Sequence, residues 1–287
     1  MTIAVTGAGG QLGRLVVEDL LARDVPAADI VAGTRRPEAL ADLAARGVQV
    51  RHVDFDDVAS LDAAFAGAEK VLVVSGMDFG RRVTQHEAAA AAARRAGARL
   101  VAYTSGPHAD TTSMLLCGEH RATEEVIRAL GVPFTFLRNS WYFENYTAQL
   151  PTYLEHGAIV GAAGDGRISG AARADYAAAA AAVLATEGHE NAVYELGGEP
   201  PFTLGELADV VSKATDREVV YRDVPAEELR TILVGAGLPA ELATILADVD
   251  AHIAKGALVT DTGDLARLIG RPASSLEDAV AAAVAAL

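Results

Sequence analysis

Three glycines at intervals of three residues follow the first apolar run of the chain. The run Ile3–Val5 leads directly into Thr6-Gly7-Ala8-Gly9-Gly10-Gln11-Leu12-Gly13, where an amphipathic helical pattern starts. In a strand–turn–helix unit, such glycines permit a tight turn, close approach of a pyrophosphate to the backbone, and tight packing of the helix on the strand. The free amides at the start of the helix then stabilise the phosphates. The motif therefore predicts a dinucleotide-binding turn made of Gly7, Gly10, Gln11, Leu12 and Gly13.

Short apolar runs alternate with helical patterns along the first half of the chain. The predicted strands are Ile3–Val5, Ile30–Ala32, Val48–Val53, Val71–Val74, Leu100–Tyr103 and Phe134–Leu137. The predicted helices between them are Gln11–Arg23, Glu38–Arg46, Ser60–Ala66, Arg82–Ala96 and Glu119–Leu130. Apolar runs of this kind are typical of buried parallel strands. The alternation predicts an α/β fold with a doubly wound parallel sheet, the Rossmann arrangement, with its ligand at the carboxyl ends of the strands.

The pattern changes after about Tyr146, where helices are interrupted by short strands near Val193–Leu196 and Val219–Tyr221. We therefore expect a dinucleotide-binding domain over residues 1–145 and a smaller α+β lobe over residues 146–287 that covers the cleft. The helical pattern Ala171–Ala185 is expected to pack back on the sheet, so that the lobe is not independent.

Charge and composition exclude several classes of function. The net charge is −15, the isoelectric point is near 4.8 and the chain has only three lysines, which argues against binding to nucleic acid. The single cysteine, Cys117, and seven scattered histidines predict no disulfide and no metal site. No apolar run is long enough to span a membrane, and no basic leader precedes the first strand. We expect a soluble cytoplasmic protein without a membrane partner.

The end of the second predicted strand carries arginine where proteins that prefer NAD carry an acidic residue. This end reads Ala32-Gly33-Thr34-Arg35-Arg36-Pro37, whereas Asp29 lies at the opposite end of the strand. An acidic residue would accept hydrogen bonds from the ribose 2′-hydroxyl, and a guanidinium pairs with a 2′-phosphate. The predicted cofactor is NADPH, with Arg35 on its 2′-phosphate. The alternative is that both arginines merely face solvent or start the next helix.

The ends of the later strands supply the remaining cofactor candidates, because the ligand of a doubly wound sheet binds at the carboxyl ends of its strands. Asp54 and Phe55 follow the third strand and are expected beside the adenine. The segment Ser75-Gly76-Met77 follows the fourth strand and is expected along the nicotinamide half. Thr104 after the fifth strand and Asn139 after the sixth complete the predicted rim of the cleft.

The usual proton-donating pair of short-chain alcohol dehydrogenases is missing. In those enzymes a tyrosine donates a proton, and a lysine four residues later lowers its pKa. None of the seven tyrosines in this chain has a lysine at that spacing. The chain therefore lacks the usual machinery for alcohol oxidation.

Several segments together carry a resemblance to a known family. They are the glycine motif, Arg35, Tyr103-Thr104-Ser105, Leu137-Arg138-Asn139-Ser140-Trp141-Tyr142-Phe143-Glu144-Asn145-Tyr146, Gly161-Ala162-Ala163-Gly164-Asp165-Gly166, Arg173-Ala174-Asp175-Tyr176 and Leu268-Ile269-Gly270-Arg271-Pro272. The chain resembles the atypical short-chain dehydrogenases of the NmrA-like group, most of all the bacterial type-2 NAD(P)H:quinone oxidoreductases. The resemblance spans nearly the whole chain.

The resemblance implies direct hydride transfer from NADPH to a bound quinone, without a flavin, and a place for Arg173 among the cofactor residues. Many relatives carry a lysine four residues ahead of a glutamate in the helix before the sixth strand, but here His120 precedes Glu124. A quinone gains aromaticity on reduction, so hydride transfer to it needs positioning more than a strong acid. Two alternatives are a reductase of triphenylmethane-type dyes and a non-catalytic, NADP(H)-sensing regulator.

Aromatic and polar residues after the sixth strand are the main candidates for the acceptor site. Trp141 and Tyr142 would stack on a flat acceptor, and Asn145 would hydrogen-bond its carbonyl group. The alternative for this segment is an aromatic hinge that packs the small lobe on the sheet. Phe79 and His108 are further candidates for the pocket, although a purely structural role is favoured for both.

Three other residues with reactive or charged side chains are expected to have ordinary roles. Glu124 and Glu125 are interpreted as solvated helix residues, and Cys117 as an unreactive thiol without a basic residue directly beside it.

Replacing Arg35 with alanine tests the predicted choice of cofactor. If Arg35 pairs with the 2′-phosphate, NADPH binds more tightly than NADH by about 1.5 to 3 kcal/mol, or about ten- to a hundredfold. The margin shrinks as salt rises, because the site is partly open to solvent. The variant should lose NADPH affinity selectively, which titrations with both cofactors measure. Equal wild-type affinities, or a parallel loss of both, would contradict the prediction.

Overall fold

The computed structural model describes all 287 residues, and seven of its eleven strands form one parallel sheet. The strands are, in chain order, β1 (Ile3–Val5), β2 (Ile30–Thr34), β3 (Gln49–His52), β4 (Lys70–Val73), β5 (Leu100–Ser105), β6 (Phe134–Asn139), β7 (Trp141–Tyr142), β8 (Ala158–Gly161), β9 (Gly170–Ala171), β10 (Ala192–Leu196) and β11 (Val220–Asp223). The order across the large sheet is β10-β6-β5-β4-β1-β2-β3. Because the direction of winding reverses between β1 and β4, the predicted doubly wound fold is confirmed, and a ligand crevice is expected at that point.

Thirteen α-helices connect the strands and cover the sheet. They are α1 (Gln11–Ala22), α2 (Ala41–Ala45), α3 (Val58–Phe65), α4 (Arg82–Arg95), α5 (Leu115–Ala129), α6 (Glu144–Thr147), α7 (Leu150–His156), α8 (Arg173–Ala185), α9 (Leu204–Thr215), α10 (Ala226–Gly235), α11 (Ala240–Ile253), α12 (Asp264–Ile269) and α13 (Leu276–Ala285). The predicted helix Glu38–Arg46 is instead a 3-10 turn, Pro37–Leu40, followed by the short α2. Helix α5 starts at Leu115, before the predicted Glu119. None of these helices combines the length and apolar character needed to cross a membrane.

Alternating residues of the strands belong to two hydrophobic clusters, one on each face of the sheet. Ile3 and Val5 of β1 belong to the cluster that contains the buried side chains of α1 and α8. Ala4, between them, belongs to the cluster with α3, α4 and α5. Successive side chains of a strand point to opposite faces, so the sheet is buried on both sides. This double burial explains why the strand sequences are almost continuously apolar.

The second half of the chain contributes to the central sheet as well as to a separate cluster. Helix α8 packs against α1, and its alanine run, Ala177–Ala182, is entirely buried. Strand β10 extends the sheet beside β6. The remaining core of this half surrounds the small parallel pair β8–β11. Phe143 and Tyr146, on either side of the predicted division between residues 145 and 146, belong to the same cluster, and β10 joins the central sheet. The division stays a prediction.

A buried ion-pair network lies at the carboxyl end of β6. The Arg138 guanidinium, 3% exposed, donates from Nε to Glu124 Oε1 at 2.9 Å and from Nη2 to Glu124 Oε2 at 2.7 Å. Its Nη1 donates to Asp110 and to Glu195, each at 2.9 Å. Burial alone would lower the pKa of Arg138, but the hydrogen bonds to Glu124 and Glu195 raise it above its usual value. The expectation that Glu124 is solvated was wrong, whereas Glu125 is exposed.

Neutralising Glu124 should destabilise the fold much more than neutralising its neighbour. Glu124→Gln leaves the Arg138 charge buried with weaker compensation, so we expect a loss of about 3 kcal/mol in the free energy of unfolding. The matched control Glu125→Gln should change it by less than about 0.5 kcal/mol. Urea unfolding of the two variants measures both values. Equal, small effects would show that the network contributes little to stability.

Candidate functional site

The glycine turn after β1 brings backbone atoms into close contact. Gly7 has φ +62°, in the left-handed region that favours glycine. A Cβ atom on Gly13 would overlap the Gly7 carbonyl oxygen, and one on Gly10 would lie 3.2 Å from the same oxygen. Any side chain at position 13 would therefore push α1 away from the turn. These contacts explain the spacing of the motif in terms of the fold.

The N-terminus of α1 lacks a capping side chain. Gly10 is the N-cap residue, and no acidic residue lies in the first turn. The backbone amides of Gln11, Leu12 and Gly13 consequently have no side-chain partner, while the helix dipole places partial positive charge at this end. This end of α1 can accept an anionic group such as a pyrophosphate.

A cavity of about 320 Å³ opens beside this turn at the carboxyl edge of the sheet. Six of the predicted cofactor residues line it, namely Gly7, Gly10, Arg35, Asp54, Phe55 and Gly76. It also contains residues that the strand-end rule did not select, among them Gly9, Thr34 and Gln85. There is no room for a side chain at Gly9, because a Cβ atom there would lie 2.6 Å from Thr34 Oγ1.

Two exposed arginines stand at the β2 end of this cavity. Arg35 and Arg36 both line it, and neither makes an ion pair or a side-chain hydrogen bond within the protein. The Arg36 backbone N–H donates to Thr34 Oγ1 at 3.2 Å, which helps to hold the turn. Two free guanidiniums facing one cavity provide the charge that a phosphate monoester requires.

The ends of β4 and β5 are joined by side-chain hydrogen bonds. Thr104 Oγ1 accepts from the Ser75 backbone N–H at 2.8 Å and donates to Ser75 Oγ at 3.2 Å. The Gly76 N–H donates to Nε2 of His86 at 3.0 Å, a residue that the sequence analysis did not assign to the site. Met77 is 73% exposed, so its side chain is available at the edge of the cleft but fixed by no contact.

Asn139, Tyr142 and Arg173 form a contiguous polar group beyond the end of β6. Asn139 Nδ2 donates to Tyr142 Oη at 3.1 Å, and the Arg173 guanidinium lies 5.0 Å from the centre of the Tyr142 ring. Burial raises the pKa of Tyr142, which is therefore neutral at physiological pH. Asn139 Oδ1 is buried and has no partner in the protein. A buried acceptor of this kind fits an N–H donor on a ligand, and the carboxamide of a nicotinamide carries one.

The aromatic segment after β6 contacts two different hydrophobic clusters. Tyr142 packs edge-on against Tyr176 of α8, which belongs to the cluster shared with α1, with 5.2 Å between ring centroids. Trp141 packs on the cluster that surrounds the β8–β11 pair. The Trp141 indole Nε1 is buried and unpaired. Asn145 is half-buried, and its side chain makes no hydrogen bond within the protein. The segment thus has the contacts of a hinge as well as polar atoms available to a ligand.

The two weaker pocket candidates are engaged in contacts within the protein. The Arg82 guanidinium lies 4.8 Å from the centre of the Phe79 ring. The Nε2 atom of His108 is 2.9 Å from the carbonyl oxygen of Val259, and its backbone N–H donates to Glu195. These contacts give both residues a structural role, and their assignment to the acceptor pocket stays a prediction.

His120 lies on α5, four residues before Glu124. Its Nδ1 lies 2.8 Å from Tyr103 Oη, and the side chain is buried. Burial, reinforced by the positive charge of Arg82, lowers the pKa of His120 well below its ordinary value. A neutral imidazole in this position can hydrogen-bond but is not a charged acid at physiological pH.

Cys117 lies close to His120, beneath the backbone of Gly106. Burial raises the pKa of the Cys117 thiol to about 12, which keeps it protonated and unreactive.

The chain is similar to several known proteins over nearly its whole length. The model of the NmrA-like family matches residues 1–276. Quinone oxidoreductase 2 of Escherichia coli is 46% identical over 278 residues, which are 97% of each chain. The crystal structure of an NADPH-dependent quinone oxidoreductase from E. coli in complex with NADPH matches with a TM-score of 0.95 and 45% identity, covering 98% of this chain and 99% of that one.

The structure of Citrobacter sp. triphenylmethane reductase complexed with NADP(H) matches with a TM-score of 0.92 and 40% identity, over 98% of this chain and 100% of that chain. The resemblance inferred from the sequence motifs is confirmed by the family match and by these nearly full-length relatives. The chain belongs to the NmrA-like family.

Proposed function

We propose that this protein is an NADPH-dependent reductase that transfers hydride to a quinone-type acceptor without a flavin. The observation that carries the proposal is the cavity at the sheet edge, whose lining includes Gly10, the N-cap residue of the uncapped helix α1, and the two unpaired arginines Arg35 and Arg36. This charge pattern suits the pyrophosphate and the 2′-phosphate of NADPH. The quinone oxidoreductases of E. coli, at 45–46% identity, support the same cofactor and the same class of acceptor.

Each part of the cofactor has a candidate group in this chain. The amides of Gln11, Leu12 and Gly13 bind the pyrophosphate, and Arg35 with Arg36 binds the 2′-phosphate. The unpaired Oδ1 of Asn139 accepts an N–H of the nicotinamide carboxamide. NADPH, when bound, supplies the hydride.

The acceptor site is assigned to the segment after β6. Trp141 and Tyr142 hold a flat conjugated acceptor, and the amide of Asn145 donates a hydrogen bond to its carbonyl oxygen. Arg173, whose guanidinium lies over the Tyr142 ring, is assigned to the cofactor beside this segment. A quinone suits this site because its reduction needs orientation and electrostatic support, and the final proton can come from water.

Reduction of a triphenylmethane-type dye is a second candidate function. It is favoured by the 40% identity to the Citrobacter triphenylmethane reductase over nearly the full length of both chains. Such a dye is also an electron-poor conjugated acceptor, so the hydride step makes the same demands on the site. The two candidates differ in the charge of the acceptor, which is neutral for a quinone and cationic for the dye.

A panel of acceptors tests the proposal. Purified protein is mixed with NADPH and a benzoquinone, a naphthoquinone or a cationic triphenylmethane dye, and loss of NADPH absorbance is followed. We expect turnover with at least one quinone and a higher KM for NADPH in the Arg35→Ala variant. Turnover of the dye alone would favour the second candidate. Tight binding of NADP(H) without oxidation by any acceptor would point to a redox-sensing regulator.

His120→Ala should leave the hydride step nearly intact. His120 is neutral and buried, so its loss removes a hydrogen bond to Tyr103 Oη but no charged acid. We expect kcat with a quinone to fall by less than about tenfold, although the melting temperature drops because a buried hydroxyl is left unpaired. Steady-state kinetics over a range of pH measures the effect. A loss of more than about a hundredfold, with unchanged affinity for NADPH, would identify His120 as a general acid.

A further inference from the structure

We propose that His86, a buried residue of α4, is a positioning residue that fixes two walls of the cofactor cavity. His86 is 0% exposed and does not itself line the cavity. It lies behind the cavity and contacts two residues that do line it, Gly76 and Phe55. The inference rests on the proposed function, because it assigns His86 a part in holding the dinucleotide.

The hydrogen bonds around His86 determine which ring nitrogen carries the proton. The Thr123 hydroxyl donates to the carbonyl oxygen of Glu119 at 2.8 Å, so its oxygen is free to accept from Nδ1 of His86 at 3.1 Å. With the proton on Nδ1, Nε2 accepts the hydrogen bond from the Gly76 N–H at 3.0 Å. Every atom in this chain of bonds has one consistent donor or acceptor role.

The ring holds the wall of the cavity on two sides. The hydrogen bond from Gly76 fixes the backbone just after β4. This is the place where the winding of the sheet reverses between β1 and β4. The Phe55 ring, which follows β3, meets the His86 ring edge-on with 6.0 Å between centroids. One side chain thus sets the relative position of two segments that come from different strands. When the walls of a site are already held in place, less conformational entropy is lost on binding the ligand, and the ligand binds more tightly.

The surroundings of His86 keep it in the neutral form that this role requires. Burial, and next the charge of Arg82, lower the pKa of His86 to about 3. Protonation would turn Nε2 into a donor that faces the Gly76 N–H, so the hydrogen bond would be lost. Because neutral His86 is the only form near physiological pH, Gly76 keeps its acceptor.

The other end of the same loop is held from α5. Glu119 Oε1 accepts from the Gly80 N–H at 2.8 Å, and Glu119 Oε2 accepts from Arg82 Nε at 2.7 Å. Since Glu119 also accepts the Thr123 hydroxyl through its backbone carbonyl, one turn of α5 supports both ends of the loop that starts at Gly76. His86 is the part of this support that contacts two residues lining the cavity, Gly76 and Phe55.

Two substitutions at position 86 separate its hydrogen bond from its bulk. His86→Leu fills the space without an acceptor, whereas His86→Gln places an amide oxygen near the position of Nε2. We expect the leucine variant to raise the Kd values of NADPH and NADH in parallel, each by about tenfold, because Gly76 and Phe55 line the part of the site common to both. The glutamine variant should recover most of the affinity. This pattern differs from Arg35→Ala, which affects NADPH alone.

A second histidine provides the matched control. His189 also has both ring nitrogens hydrogen-bonded, to Thr186 and Tyr194, but it lies beside the start of β10, at the edge of the sheet away from the cavity. His189→Leu should change neither Kd, even if it lowers the melting temperature as much as His86→Leu does. An equal loss of affinity in the two leucine variants would reduce the role of His86 to general stability and overturn the inference.

A spectroscopic measurement on the wild-type protein keeps the test independent of how the variants fold. Nitrogen-15 NMR of the His86 ring should show a neutral imidazole with its proton on Nδ1, both with and without NADPH.

In Thr123→Val, which removes the partner of Nδ1 at a distance from the cavity, both Kd values should rise several-fold. A proton on Nε2, or unchanged affinities in Thr123→Val and His86→Leu, would overturn the inference. If the wild-type protein bound neither dinucleotide, the proposed function itself would fail, and this inference with it.

Discussion

The close approach of α1 to the turn after β1 is the contact on which the rest of the site depends. It is possible only because Gly13 has no Cβ atom to collide with the Gly7 carbonyl oxygen. Gly7 and Gly10 of this turn line the cavity together with Gly76, which follows β4, and the winding of the sheet reverses between β1 and β4. The close approach also places α1 so that the alanine-rich α8 can pack on it. The position of α1 against the turn, and so against α8, therefore depends on one backbone contact.

Buried polar groups at the carboxyl edge of the sheet are of two kinds. Arg138 and His86 have all of their strong hydrogen-bonding atoms paired, and each joins segments from different elements. Such satisfied groups fix the shape of the edge, because moving any partner would leave a buried polar atom unpaired. Asn139 Oδ1 is different, since it is buried without a partner. Arg138 and His86, which support this edge, therefore differ from Asn139, which has an acceptor atom available to a ligand.

The reaction that this site supports demands little acid–base chemistry. Tyr103 and Tyr142 keep their protons because burial raises the pKa of each, and His120 stays neutral. A site of this kind is poorly suited to alcohols, whose oxidation needs a base, but suits acceptors that are already electron-poor. Relatives at 40–46% identity include enzymes named for quinone and for triphenylmethane-dye reduction, which share that property.

The alternation of strands and helices, the glycine turn after β1 and the place of Arg35 at the end of β2 could be predicted from the amino-acid sequence, because each depends on residues close together in the chain. A strand end predicts which edge of the sheet a residue occupies, and that was enough to bring Gly7, Arg35, Asp54 and Gly76 to one cavity. Only the tertiary structure decided the partners of buried polar side chains. Helical periodicity does not tell which of two adjacent glutamates meets Arg138, and nothing local links His86 to Gly76 and Thr123. These pairings join elements far apart in sequence, and their energies depend on distances and desolvation that arise only when the chain is folded.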